Sequence, residues 1–464
     1  MKIYNKLILI FLSVFVVSCD DELNLQPEDQ LTLDVSFSNK ETSLGVLTGA
    51  YSAAQQDDVL NGTRQAYADY MADNVDFVGS FPTFQAISQF NQLSNNTSIE
   101  AGWDDNYETI GATNLVIKYI PTVEDVAFTD EEKAIAVAEA KFLRALIYFN
   151  MANIYAQPYS ITNGDTPAVP LVTEPFDAEV QFPSRATLGA VYDQVEADLL
   201  DAAAVLGDSD NSRATKGAAE GLLSRLYLYK GQYDLAAEYA DNVIQNSAYS
   251  LASDYSFYNT TDSEFMFTLL NSAADGQDSG EGFSGLYNPV PDGRGDAPFT
   301  DNLIEAYGGM DTSDKRFTEL TQIGNDANGD ERIFTSKYPD GITNADNAPV
   351  LRITEMYLTR AESNFREGTS IGDTPLNDIN ELRKRAGLSE LNSISSVDQI
   401  LEERRKELAF EGHRRMDLLR IQLPLRRPGM PNVEKSNPGD QKTIFPIPSR
   451  EIDLNENLTQ NPGY

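Results

Sequence analysis

Apolar positions along this chain fall mostly at helical spacing. Trp103, Tyr107, Ile110 and Ile117 make one stripe, which predicts an amphipathic helix. Residues 138–155 are apolar almost all round, with Phe142, Leu143, Leu146, Ile147, Phe149 and Ile154, as expected of a helix buried on every side. Leu188, Val191, Tyr192, Val195 and Leu199 repeat at three and four. Residues 215–246 predict two helices broken at Gly231, and 353–387 with 397–420 predict three more. Between them lie long stretches rich in Gly, Asn, Asp and Pro, notably 256–301, 322–350 and 421–449. Irregular length of that kind in a compact protein is more often functional than idle.

The helices come in pairs. In LLSRLYLYKGQYDLAAEYADNVI (222–244), Tyr227, Gly231, Tyr233 and Ala236 have the spacing of a tetratricopeptide repeat. Gly231 suits the tight turn and Ala236 the close approach of two helices, although Ala240 stands where the repeat usually has an aromatic. Residues 354–368 and 376–387 look like a second pair with an inserted turn. Such pairs stack into concave interaction surfaces and seldom catalyse.

The N-terminus reads as an address. Lys2 and Lys6 precede an apolar run from Leu7 to Val17 that is too short to span a bilayer comfortably. It stops at Val-Val-Ser-Cys, which resembles a bacterial lipobox, so Cys19 is expected to be lipidated. The triplet Asp20, Asp21, Glu22 resembles the acidic export signal of surface lipoproteins in the Bacteroidetes. The expected organisation is a signal peptide over 1–18, a flexible linker over 19–40, a helical part with tetratricopeptide-like pairs over 41–250 and a loop-rich part with returning helices over 251–464.

Charge and composition narrow the chemistry. Acidic residues outnumber basic ones by 72 to 35 in 464 residues, a formal charge of −37. Nucleic acid is therefore excluded as a partner and polyanionic ligands are disfavoured. One Cys and one His rule out an intrachain disulfide and any His/Cys metal cluster. The sequence GEGFSG (280–285) spells a dinucleotide motif, but its flanks lack the strand and the helix that the motif needs, and Pro289 and Pro291 argue against a helix there. NDANGD (325–330) faintly resembles a calcium loop. Its Gly falls one place early and no acidic residue stands near position twelve, where Ser336 and Lys337 follow, which leaves only a looser structural calcium site open. His413, flanked by Arg414 and Arg415 on an expected helix over 402–420, reads as structural. No spacing singles out a catalytic carboxylate pair among so many acids.

Five segments resemble the SusD/RagB family of outer-membrane nutrient-binding lipoproteins: 103–117, 138–159, 351–368, 402–420 and 445–464, in family order across nearly the whole chain. Met416 stands where the family often has an aromatic. The resemblance implies a mainly α, SusD-like fold, a tetratricopeptide-like superhelix with a loop-rich second layer. It also implies a glycan-binding protein rather than an enzyme, without cofactors, that lids a SusC-like TonB-dependent transporter at the outer membrane. A surface-anchored glycoside hydrolase and a scaffold that binds no sugar are the rival readings.

Sugar rings stack their apolar faces on aromatic side chains while polar groups meet their hydroxyls. Candidates for such a site are Asp76, Phe77, Phe81, Phe84 and Gln85 in one loop and Phe283, Tyr287, Asn288 and Arg294 in another. Tyr255, Phe257 and Tyr258 form a weaker third cluster. Trp103, on its helical stripe, is expected in the core. The acidity favours a neutral glycan of β-glucan or fructan type.

Overall fold

The computed structural model of the protein describes residues 32–176, 180–276 and 280–464. Cys19 and the acidic triplet lie outside these residues. The scaffold opens with α1 (Lys40–Ala54), α2 (Thr63–Tyr70) and α3 (Pro82–Ser88). Two long helices follow, α4 (Thr97–Tyr119) and α5 (Asp130–Tyr155). The side chain of Asn96 caps α4 by accepting from the N–H groups of Ser98 and Ile99. A Thr129/Glu132 capping box starts α5, and Asp130, Glu131 and Glu132 suit the positive end of its dipole. From Ala136 onward α5 is buried on nearly every side, as its apolar circumference requires. Trp103 is 3 % exposed, edge-on to Tyr155 at 4.9 Å, and belongs to the core. Within this apolar layer Arg144 of α5 donates to Asp198 at 2.8 Å through two nitrogens and to Asn114 of α4 at 2.8 Å, a polar pin across three helices.

A hairpin of β1 (Pro167–Pro170) and β2 (Arg185–Thr187) leads into α6 (Leu188–Val205), packed on α5. Next comes the pair α7 (Lys216–Lys230) and α8 (Tyr233–Gln245). Gly231 ends α7 in the left-handed region at φ 71°, where a side chain would be strained. Ala236 and Ala240 are fully buried, and the Ser224 hydroxyl reaches the Ala236 carbonyl at 2.8 Å. That close approach explains why the repeat tolerates Ala at position 240.

The second layer consists of loops and short elements. β3 (Phe265–Leu269) pairs antiparallel with the later strand β6 (Ala348–Arg352). Between them lie α9 (Phe283–Tyr287) and a hairpin of β4 (Thr321–Asn325) with β5 (Glu331–Thr335), in register Ile323 to Ile333. The chain then returns to the scaffold as α10 (Ile353–Glu367), packed on α8, followed by α11 (Pro375–Arg385), α12 (Val397–Leu408) and α13 (Arg414–Leu419).

Two sequence expectations need correction, and the NDANGD segment gains a structural place. GEGFSG does contain helix: α9 makes one turn between Gly282 and Asn288 before Pro289 intervenes. NDANGD is the turn of the β4–β5 hairpin, where Asp326 accepts the N–H groups of Asn328 and Asp330. The helix expected over 402–420 is two helices. Phe410 and Gly412 take φ 66° and 81°, and a Cβ on Gly412 would lie 2.9 Å from Gln65. The break drives Phe410 between Phe299 and Tyr287, at 4.6 and 5.4 Å between ring centres. His413 begins α13, buried and held neutral at about 4 by desolvation.

Between scaffold and loops runs a lattice of buried ion pairs. Arg352 meets Glu411 at 2.8 Å and Glu264 at 3.1 Å; Arg385 meets Glu264 and Glu407 at 3.0 Å each; Arg316 meets Asp314 at 2.6 Å and Glu403 at 2.7 Å. Lys337 meets Glu411 at 2.6 Å. Farther along, Arg404 joins Asp417 and Glu355, Arg225 joins Glu355, and Arg420 joins Glu362. Desolvation opposes the charge on Glu403 and Glu411, but the facing cations override it and hold both carboxyls at about 2.

Candidate functional site

The two loops singled out in the sequence are brought together. Residues 75–78 run beside 296–299, with Asp76 N–H on the Pro298 carbonyl and Val78 N–H on the Asp296 carbonyl, both at 3.0 Å. Their root is fixed by Asp73, which accepts from Arg414 and Arg427 at 2.6 Å each. Gly79 lets the strands close: a Cβ there would lie 2.4 Å from Asp296 and 2.6 Å from the Phe77 ring.

This junction presents Phe81. Its ring is 41 % exposed and sits edge-on against buried Phe84 at 5.1 Å. The Arg294 guanidinium lies 5.1 Å from the Phe81 ring centre and 5.2 Å from that of Phe84. Asp296 holds Arg294 in place through Nε at 2.7 Å. Phe77 is half-buried against Tyr70 at 4.6 Å. Gln85 reaches the Gly79 carbonyl at 3.3 Å. Asp76 accepts from Arg332 of β5 at 2.9 Å, leaving its carboxylate about half exposed. One exposed ring is thus flanked by guanidinium, carboxylate and amide groups, which can face both a sugar ring and its hydroxyls.

Four candidates lie elsewhere. Phe84, Phe283 and Tyr287 are fully buried and Asn288 is 2 % exposed, so none offers a surface to a ligand. Phe84 supports Phe81 from beneath. Phe283 and Tyr287 stack with Tyr338, at 4.4 and 5.9 Å, and the Tyr287 hydroxyl donates to Asp69 at 2.8 Å. They are inside because α9 is clamped to the start of α2: Gly62 bridges to Gly282, and a Cβ on Gly62 would lie 2.4 Å from the Glu281 carbonyl. Asn288 accepts from Gln322 at 2.9 Å. The third cluster is interior too, with Tyr255 and Phe257 buried and Tyr258 donating to Glu411 at 2.7 Å. Sequence reading missed Arg332 and Asp296. Residues 322–350 read as irregular, so neither the strand β5 nor the place of Arg332 opposite Asp76 is legible in the sequence.

A helix-pair scaffold carrying a loop-built face of this composition defines a binding protein. The comparisons agree. A family model described as the SusD family matches residues 253–464, and one described as starch-binding associating with outer membrane matches 22–228. SusD-like protein P2 of Formosa agariphila is 26% identical over the whole of both chains. The starch-binding protein SusD of Bacteroides thetaiotaomicron is 33% identical over 28% of this chain and 23% of its own. The crystal structure of a SusD superfamily protein from B. thetaiotaomicron superposes with a TM-score of 0.84 at 27% identity, covering 93% of this chain and 100% of that one. The chain belongs to the SusD/RagB family, whose members bind carbohydrate and are not enzymes.

Proposed function

We propose that this protein captures an oligo- or polysaccharide on the face around Phe81 and passes it to a SusC-like TonB-dependent transporter whose extracellular mouth it covers. In this reading Cys19 carries the lipid anchor and Asp20, Asp21 and Glu22 direct the chain to the outside of the outer membrane. The observation that carries the glycan reading is the exposed Phe81 ring held between Phe84 and Arg294, with Asp76, Gln85 and Arg332 beside it. The formal charge of −37 supports an uncharged polymer such as a β-glucan or fructan along this face.

Affinity electrophoresis in gels of neutral polysaccharides tests the face. A stacked aromatic contributes ~1 kcal/mol beyond area burial, so Phe81→Ala should weaken retention about fivefold at unchanged melting temperature. Phe283→Ala should lower the melting temperature and leave the affinity of the folded protein intact. Binding should hardly respond to salt. Wild-type affinity in Phe81→Ala would move the site elsewhere. For the assembly, mild detergent extraction should bring down a barrel-sized protein, and Cys19→Ala should free the chain from the membrane. A clean monomer beside the barrel would overturn the assembly claim.

A further inference from the structure

Beside the Phe81 face lies a cleft of about 300 Å³ with a different character. Gln55, Gln56, Asp57 and Asp58 from the end of α1, Asp105 from α4 and Glu281 before α9 line it, together with Ser52, Asp275 and Gly276. None of its described lining residues is Lys, Arg or His. The chain links it to the aromatic face: Gly280, just before the lining residue Glu281, would place a Cβ 3.9 Å from Nη1 of Arg294.

Asp58 is the telling group. The residue is 8 % exposed, and its carboxyl, which opens on the cleft, has no hydrogen bond and no ion pair among the described residues; only its backbone carbonyl is used, by Asn106. Buried carboxyls are normally paired, and one left alone at the wall of a cleft points to a partner supplied from outside. Burial, then the nearby charges of Glu281, Asp105 and Asp57, push this carboxyl up to about 8. Burial, Glu108, Asp104 and Glu281 likewise raise Asp105 to about 6. Arg64 borders a smaller cavity that Asp58 also lines, but makes no ion pair with it. Among the described residues no three Asp, Glu, His or Cys side chains converge closely enough to hold a metal ion. The carboxylates stand around a space rather than a point, and that space falls within the range of small-molecule sites. At its rim the Gln55 amide donates to the Leu270 carbonyl and to Asn271, and the Gln56 amide lies 3.2 Å from both oxygens of Asp105.

We propose that this cleft is a subsite for a protonated amino sugar, whose ammonium is received by Asp58 in the negative field of Asp105 and Glu281. The proposal rests on the glycan reading of the Phe81 face and refines it: the ligand is uncharged along the face and cationic at one unit. The ammonium provides what a neutral sugar cannot, a counter-charge for Asp58. Binding near neutral pH then expels the proton from Asp58 to solvent.

The test is calorimetry on the mature full chain with three probes: a glucosamine tetramer, the same tetramer N-acetylated, and tetralysine. The glucosamine tetramer should bind at least ten times more tightly than its N-acetylated form, and more tightly than tetralysine. Its apparent enthalpy should change with the ionisation enthalpy of the buffer, reporting proton release. Asp58→Asn and Glu281→Gln should each reduce the preference to threefold or less. Each change alters one charge among many, so loss of a general attraction to polycations would not reproduce this. Asp58→Asn removes an unpaired buried acid and should fold at least as stably as wild type, and Phe81→Ala should weaken the N-acetylated tetramer while keeping the preference. Equal affinity for the two tetramers, a preference that survives both variants, or equal binding of tetralysine would overturn the proposal. Calcium binding that Asp58→Asn abolishes and that excludes the amine would do so too. Neutral polysaccharide bound without amine preference would sink the subsite alone; amine preference without neutral binding would sink the Phe81 reading and the proposal's link to it.

Discussion

The helices from Thr97 to Gln245 and the part from Tyr255 to Arg427, loops and returning helices together, fill their interiors by opposite means. In the first, Phe142, Leu146, Ile147, Val195, Leu222 and Ala236 pack apolar surface on apolar surface, with a few buried charges such as Arg144 on Asp198 and Arg225 on Glu355 set into it. In the second, Arg316, Arg352, Arg385 and Arg404 are buried against Glu264, Glu355, Glu403, Glu407 and Glu411. Apolar packing is graded: each methylene counts for a little, and neighbours can give. An ion lattice is steep, because loss of one member strands the rest without water. The steep region lies under the candidate face, where Arg405, Arg414 and Arg427 gather around Asp73 at the root of the Phe81 loop. The graded scaffold sets the overall shape, while the lattice fixes where the loops stand.

The sharpest way to break this contrast is Glu407→Ala. It would leave Arg316, Arg352 and Arg385 short of a partner and should cost ~3–5 kcal/mol, read from the denaturant midpoint. A loss under ~1 kcal/mol would show that the lattice relaxes as easily as the helices do.

Next comes pH. Glu403 and Glu411 sit below their unfolded values, so their contribution is complete above about pH 4.5 and is lost as pH falls toward 2. Asp58, in the scaffold, has the opposite sign. Its folded value lies above the unfolded one, so it costs stability increasingly as pH rises from about 4 to 8. Asp58→Asn should therefore stabilise the protein by ~1–3 kcal/mol at pH 8, have little effect at pH 4, and leave the acid limb unchanged. Melting curves across pH decide it; an equal gain at pH 4 and pH 8 would remove the titration from the account. The smallest effect is Ile147→Val, which should cost ~0.5–1.5 kcal/mol; a cost like that of Glu407→Ala would mean that the helical core is as steep as the lattice.

The same contrast decides what the sequence reveals. Helical periodicity is local, and it was enough for the stripe of Trp103, the buried helix at 138–155 and the Gly231 turn. The lattice is not local: Arg352 and Glu264 stand 88 residues apart, and charged residues read as surface until their partners are known. The break at Phe410 was hidden for that reason, since what favours it is the fit of Phe410 and Glu411 into the second layer. The site was half legible. Aromatics in Gly- and Asn-rich stretches marked two loops that the fold does bring together, where Phe81 and Arg294 meet. Nothing in Phe283 or Tyr287 themselves distinguished a ring that faces solvent from one that anchors a loop, because that depends on the Gly62–Gly282 clamp. The acidic cleft draws on three distant segments and left no trace in any of them.

The segment 445–464 carries a consequence for the timing of folding. Its Phe445 N–H bonds the Ile154 carbonyl, and Asn461 donates to the carbonyls of Tyr155 and Phe445. Asn461 and Tyr155 are 306 residues apart, so at ~5–20 residues per second the end of α5 waits roughly 15–60 s after its own synthesis for the strap that closes it. Throughout that interval the longest buried helix of the scaffold has an open flank.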